Sequence, residues 1–133
     1  MPGVKFKYDN KSNEIYFSIY SDYYLYLGQI LIDFEFQFKQ SLYGETSKHL
    51  LTLEEKVFLI NGIEKLIDNL IDKYFIMDSK GLNSKKISYK DKEYELFVHS
   101  SKSHSILLFM IQLYNFIENS IKADIDLIIK RDE

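Results

Sequence analysis

Residues 29–38 read Gln-Ile-Leu-Ile-Asp-Phe-Glu-Phe-Gln-Phe, and this stretch decides which fold the sequence predicts. Isoleucine and phenylalanine occupy the even positions, and polar side chains occupy the odd positions except Leu31. Successive side chains of a strand point to opposite faces of a sheet, so the alternation predicts a strand with one buried face. The longer segment from Tyr23 to Phe38 has Gly28 in its interior. We therefore expect one long strand over residues 23–38 that bends or bulges near Gly28.

Two other parts of the chain have the pattern of β-hairpins. Apolar and polar residues alternate through residues 4–8 and again through residues 15–19, with the turn formers of residues 9–13 between them. A similar pattern flanks Lys90-Asp91-Lys92, from Ile87 to Val98. Strand-like runs separated by a short polar turn predict antiparallel pairs.

Helical spacing is clear in two segments. Thr52 and Glu55 have the spacing of a capping box, and apolar residues follow at intervals of three and four up to Tyr74. A second helix follows the serine-rich residues 100–105, with Ser103 as its expected N-cap. It is expected either to run close to the C-terminus or to break near Ser120. The order of elements is then ββ-β-α-ββ-α.

These elements predict a single α+β domain over residues 1–133, in which a mostly antiparallel sheet of about five strands packs against two helices. A chain of this length can bury roughly two thirds of its unfolded surface in one core.

The composition excludes several classes of protein. The chain has no cysteine, which rules out disulfides, thiolate catalysis and cysteine-based zinc sites. The first ten residues lack a secretion signal, and the longest apolar run, residues 106–111, is far shorter than the roughly 20 residues that span a bilayer. We therefore expect a cytoplasmic protein that is not in a membrane. Its preference for Ile, Lys, Asn, Tyr and Phe suggests an AT-rich bacterial or phage genome.

The charge distribution bears on nucleic-acid binding. A net charge of −3 argues weakly against a general nucleic-acid binder. Residues 79–103 nevertheless carry six lysines and three acids, interleaved with Tyr89 and Phe97. A nucleic-acid-binding accessory protein that uses this lysine-rich hairpin is therefore an alternative hypothesis.

One cluster resembles a reactive site: His99-Ser100-Ser101-Lys102-Ser103-His104. An imidazole and a hydroxyl can act together as base and nucleophile, so His99, Ser101 and His104 are an alternative polar site for a small enzyme. The spacing matches no hydrolase signature, and a polar turn that starts a helix is the more common structure. No glycine-rich phosphate loop occurs, and the cluster lacks the carboxylates of a metal site, so we expect no cofactor, no metal and no catalysis.

The abundance of tyrosine tells more about function than this histidine and serine cluster does. If Ile15, Phe17 and Ile19 face the core, then Tyr16 and Tyr20 face away from it. Tyrosine combines a large rigid ring with a polar tip and is enriched where proteins meet. The candidate interaction residues are Tyr16, Tyr20, Tyr23, Tyr24, Tyr26, Asp33, Glu35 and Phe97.

These features predict a small non-catalytic module that binds one protein partner. In size, acidity and α+β patterning the chain has the general character of bacterial toxin-immunity proteins (antitoxins) and of phage-encoded inhibitors of host defence enzymes. Such a protein would occlude the active site of a toxin or defence enzyme, with tyrosines as anchors and carboxylates that match a basic cleft. A homodimer formed through a sheet edge or the second helix is compatible with this hypothesis.

Overall fold

The computed structural model describes residues 3–40, 48–75, 84–98 and 101–132. Within these residues the fold is α+β, with three α-helices, a four-stranded antiparallel sheet and a separate two-stranded sheet. The strands are β1 (Gly3–Tyr8), β2 (Glu14–Ser18), β3 (Lys48–Leu50), β4 (Lys85–Tyr89), β5 (Lys92–Leu96) and β6 (Leu127–Asp132). The helices are α1 (Asp22–Phe38), α2 (Leu53–Leu70) and α3 (Lys102–Lys122), and α2 continues as a π-helical turn, Ile71–Phe75.

Both predicted hairpins are confirmed. β1 and β2 pair antiparallel with Phe6 opposite Ile15, and β4 and β5 pair with Tyr89 opposite Lys92. Each turn contains a residue with positive φ, Asn10 in the first and Lys90 in the second. The turn residues predicted from the sequence thus reverse the chain where expected.

The predicted long strand is wrong, because residues 22–38 form helix α1. Leu27, Leu31 and Phe34 are buried, at spacings of four and three that fit one side of a helix. Ile32 and Phe36, which the alternation placed beside Phe34, are exposed. The sequence contains this helical spacing as well, but the two-residue alternation of residues 29–38 is the more regular pattern.

The predicted second helix ends close to the alternative break at Ser120, and its extension towards the C-terminus is wrong. Helix α3 ends at Lys122, and Asp124 has a positive φ that takes the chain out of the helix. Residues 127–132 then form β6, which lies between β1 and β3 in the strand order β2-β1-β6-β3. Leu127, Ile128 and Ile129 are all buried, as expected for a central strand.

All three helices pack against one face of the four-stranded sheet, which we call the inner face. Phe17 of β2 contacts Phe109 of α3 edge to face, with ring centroids 5.8 Å apart. Arg131 of β6 donates to the hydroxyl of Tyr24 in α1, and His49 of β3 bonds to Glu55 of α2. The core therefore lies between this face and the helices. The outer face carries the intervening residues of each strand, including Tyr16.

The capping box at the start of α2 is confirmed. Thr52 Oγ1 accepts from the Glu55 amide at 3.2 Å, and Glu55 Oε1 accepts from the Thr52 amide at 2.8 Å. The second carboxylate oxygen of Glu55 lies 2.7 Å from His49 Nε2. This buried carboxylate thus joins β3 to the start of α2.

The two-stranded sheet packs on α2 and α3. The Tyr89 hydroxyl donates to Asp68 of α2 at 3.2 Å, and Lys90 pairs with Glu64 of the same helix. The Tyr89 ring also meets Tyr114 of α3 edge to face at 5.0 Å. The polar side of α2 is therefore used to hold the hairpin.

Candidate interaction surface

Helix α1 has apolar side chains on two sides, and the fold buries one of them. Leu25, Ile32 and Phe36 lie outside the core and are 78%, 52% and 86% exposed. With the exposed Gln29 they occupy positions separated by four, three and four residues, which places them in one line along the helix. We call Leu25, Gln29, Ile32 and Phe36 the α1 stripe.

The exposure of the stripe is unusual for side chains of this size. Single exposed apolar residues are common on soluble proteins, whereas an aligned set marks an interaction surface more often than chance. Tyr20, in the turn that leads into α1, is 79% exposed and extends the apolar character beyond the N-terminus of the helix. A rigid helix therefore presents several large side chains to its surroundings.

A groove runs between α1 and α2 beside the stripe. It encloses about 500 Å³ and is lined by Ile30, Asp33, Phe58, Asn61, Gly62 and Lys65. Gly62 lets the helices approach closely here, because a Cβ at this position would lie 3.2 Å from the Ile30 side chain. Asp33 is exposed at this groove, and its Oδ1 accepts from the side-chain Nε2 of Gln29 at 2.8 Å. One margin of the stripe is thus polar, because Asp33 of α1 and Lys65 of α2 both line the groove.

The structure separates the predicted interaction residues into different places. Tyr16 and Tyr20 are exposed, as predicted, at 40% and 79%, with Tyr16 on the outer face of the sheet. Asp33 lies beside the α1 stripe rather than on a strand. Their participation in an interface stays a prediction.

The remaining tyrosines of α1 and Glu35 have contacts within the fold. Tyr23 stacks on Phe109 of α3 with centroids 4.1 Å apart, and Tyr26 is half-buried against the core. Tyr24 accepts a 3.0 Å hydrogen bond from Arg131, whose second guanidinium nitrogen lies 3.9 Å from Glu35. Arg131, the single arginine of the chain, is buried. These side chains attach α1 to β6 and α3, which the strand interpretation did not anticipate.

Two residues of the alternative polar site, Ser101 and His104, form the start of α3. His99 lies outside the described residues. Ser101 is the N-cap of α3, accepting from the His104 amide at 3.2 Å, so the prediction of Ser103 as N-cap is wrong. His104 is buried, and its Nδ1 accepts from the Phe97 amide at 3.0 Å. These two hydrogen bonds link the Phe97 amide and Ser101 to the first turn of α3.

The sequence pattern did not identify Leu25 and Phe36 as candidate residues. It predicted a strand over residues 23–38, which placed Phe36 in the core. The signal that identifies them is the spacing of residues 25, 29, 32 and 36, which is helical and continuous. A length argument also favoured a helix, since sixteen residues far exceed an average strand of about 5–6 residues.

Other kinds of site find no support in the described residues. No group of three or more His, Asp or Glu side chains among them could hold a metal ion. None of the described helices combines the length and the apolar character needed to cross a membrane. No family model, no curated protein and no solved structure matches the chain.

Proposed function

We propose that this protein is a non-catalytic protein-binding module and that the α1 stripe is its contact surface. The supporting observation is the exposure of Leu25, Ile32 and Phe36 in one line on a helix whose other side is buried. Helices that bind in the groove of a partner use anchors with this spacing. The partner is one protein whose function is blocked when the stripe covers its site, as a toxin-immunity protein or a phage inhibitor would do.

The energetics suit a specific complex. Burying a large apolar side chain contributes about 1.5–3 kcal/mol, so three such residues supply roughly 4–9 kcal/mol before the losses of association. Because α1 is held in the fold by Arg131 and by Tyr23, it does not have to be ordered on binding. Rigid anchors reduce the entropy lost by the complex.

We also propose that the protein and its partner are cytoplasmic. A cytoplasmic partner suits a chain without cysteine, because thiols and disulfides play no part in its structure. Homodimerisation is the competing use of the same stripe, and the experiment below distinguishes the two.

The test replaces stripe residues and compares them with exposed apolar residues elsewhere. The variant Ile32→Ser/Phe36→Ser removes two stripe anchors, and Leu53→Ser/Val57→Ser is the matched control because those α2 residues are also exposed. Tagged proteins are expressed in the native host, and captured proteins are quantified by mass spectrometry. We expect one partner to be retained by the wild type and the control and reduced at least about tenfold with the stripe variant.

The captured partner is then purified and its activity is assayed with each variant. Inhibition by the wild type and the control, but not by the stripe variant, supports an inhibitor. Equal capture by both variants would rule out the stripe as the contact surface. Light scattering that shows a wild-type dimer and a monomeric stripe variant would instead assign the stripe to self-association.

A further inference from the structure

The groove between α1 and α2 contains charges of both signs that do not pair with each other. Asp33 of α1 and Lys65 of α2 both line it. Oδ1 of Asp33 accepts from the Gln29 side chain at 2.8 Å, and Oδ2 has no hydrogen-bond partner among the described residues. Lys65 forms no hydrogen bond or ion pair within the same part of the chain. A carboxylate oxygen and an ammonium group are therefore available to a ligand in this groove.

The apolar part of the groove is packed against the core. Phe58 meets the rings of Phe34 and Phe38 edge to face, with centroids 6.2 Å and 5.4 Å from its own. Ile30 lies against Gly62, where a Cβ would come within 3.2 Å of the isoleucine side chain. Both Ile30 and Phe58 are half-buried. This apolar surface therefore exists within the fold and does not have to be assembled by a ligand, which reduces the entropy lost on binding.

The size and lining of the groove suit a small molecule. It encloses about 500 Å³, and ligand sites commonly measure roughly 300–1,000 Å³. Such sites combine apolar side chains with a few polar groups that orient the ligand. The polar groups here are Asp33, Asn61 and Lys65. A matching ligand has a positive group for the carboxylate, a negative group for the lysine and an apolar part between or beside them.

We infer that the groove binds a free α-amino acid with a large apolar side chain, in its zwitterionic form. Asp33 Oδ2 accepts from the α-ammonium group, and Lys65 donates to the α-carboxylate. Ile30 and Phe58 contact the apolar side chain of the ligand and remove it from water. Hydrogen bonds between charged groups are stronger than those between neutral groups, so the two ends of the zwitterion give the site its selectivity.

The groove between the β4–β5 hairpin and α3 shows why unpaired charges matter. It has nearly the same volume, about 480 Å³, and its lining is richer in charged side chains. Its Lys122 pairs with Glu118, however. Its Lys90 pairs with Glu64 of α2. The lysines of this groove are thus neutralised within the fold, whereas the charges of the α1–α2 groove are not.

The test titrates isotopically labelled protein with L-phenylalanine and follows the backbone amide signals by NMR. We expect saturable shifts at Ile30, Asn61 and Gly62, with a Kd of about 1 mM. N-acetyl-L-phenylalanine lacks the ammonium group and L-phenylalaninamide lacks the carboxylate, so each should bind about threefold more weakly or worse. L-Alanine lacks the large side chain and should cause no saturable shift at the same concentrations.

Two variants locate the site. Asn61→Trp places an indole ring in the groove and should abolish binding. Asn69→Trp is the matched control, because Asn69 is also exposed on α2 but does not line the groove. The exchange Asp33→Lys/Lys65→Asp reverses the two charges without changing the net charge and should weaken binding at least about tenfold. All of these positions are exposed, so we expect the variants to fold, and circular dichroism checks this. The blocked phenylalanine derivatives test the two charges on the wild-type protein as well.

Three results would overturn the inference. The first is the absence of saturable shifts with L-phenylalanine up to about 20 mM. The second is equal affinity for L-phenylalanine and its two blocked derivatives, which would show that the charges of the groove do not recognise the ligand. The third is wild-type affinity in Asn61→Trp, which would place the site elsewhere. Ile32→Ser/Phe36→Ser changes no residue that lines the groove and should bind like the wild type, so this inference and the proposed protein partner can fail separately.

Discussion

Helices α1 and α2 have nearly equal lengths, 17 and 18 residues, but they use their apolar residues differently. In α2 the apolar residues Leu59, Ile63 and Ile67 are buried, and the polar side holds the β4–β5 hairpin through Glu64 and Asp68. In α1 one apolar set is buried and a second is exposed. The fold accounts for most apolar residues of α2, although Leu53 and Val57 near its N-terminus are exposed. The exposed apolar set of α1 is larger and runs along most of the helix, which is why we propose that its outer side contacts a partner.

The largest expected difference between the helices is in the free energy of unfolding. Ile67 of α2 is fully buried, so Ile67→Ala should lower this free energy by about 2–5 kcal/mol, because it removes buried methylenes and leaves a cavity. Phe36→Ala in α1 removes a larger side chain but should change it by less than about 0.5 kcal/mol. Urea unfolding followed by circular dichroism measures both. A loss of several kcal/mol in Phe36→Ala would show that the stripe belongs to the core.

The helix N-termini offer a smaller contrast. Thr52→Ala removes the side-chain acceptor of the α2 capping box and should lower the free energy of unfolding by about 1 kcal/mol. Ser21, the N-cap of α1, makes no side-chain capping bond, and its hydroxyl donates instead to the Ser18 carbonyl. Ser21→Ala should therefore have less effect than Thr52→Ala in the same urea measurement. Equal losses would mean that the two termini are stabilised alike.

The smallest expected effect is on the free energy of unfolding at alkaline pH, and it involves the buried tyrosines Tyr89 and Tyr114. Burial, then a hydrogen bond to Glu118, raises the pKa of Tyr114 to about 12. Burial, then the charge of Asp68, also raises the pKa of Tyr89. A raised phenol pKa favours the neutral folded form, so this stability is complete below pH 10 and is lost as the pH rises from 10 towards 12.

Tyr114→Phe removes one of these titrating groups. Its free energy of unfolding should therefore fall less than that of the wild type between pH 9 and pH 10.5, by about 0.5 kcal/mol. Chemical unfolding at the two pH values gives this difference directly. Phe36→Ala is the control, because α1 has no phenol on its exposed stripe, and its pH dependence should match the wild type. Parallel curves for Tyr114→Phe and the wild type would contradict the assignment.

The sequence predicted those elements whose signals are local. The hairpin turns, the capping box at Thr52 and the apolar side of α2 depend on residues close together in the chain, and all are present. Exposure of Tyr16 and Tyr20 also followed from local alternation around Phe17. Each of these features needs few tertiary contacts to be specified.

The failures have a tertiary cause. In residues 29–38 the alternation of aromatic and polar residues favours a strand, but burial of Leu31 and Phe34 against the sheet outweighs it. Residues 127–129 are apolar at three successive positions, which fits a helix or a central strand equally well. The pairing of this segment with both β1 and β3 makes it a strand. The candidate site was misplaced for the same reason, since Phe36 was assigned to the core along with that strand.

The position of β6 has a consequence for how the protein comes to be made. Phe6 of β1 pairs with Ile129 of β6. One of the two strands beside β1 is therefore synthesised after nearly all of the other described residues. Until then the nascent β1–β2 hairpin has an unpaired edge that other chains can join. Pairing between such distant segments slows folding. The sheet can therefore be completed only after residues 127–132 have been synthesised, and chaperones are expected to raise the yield of folded protein when expression is rapid.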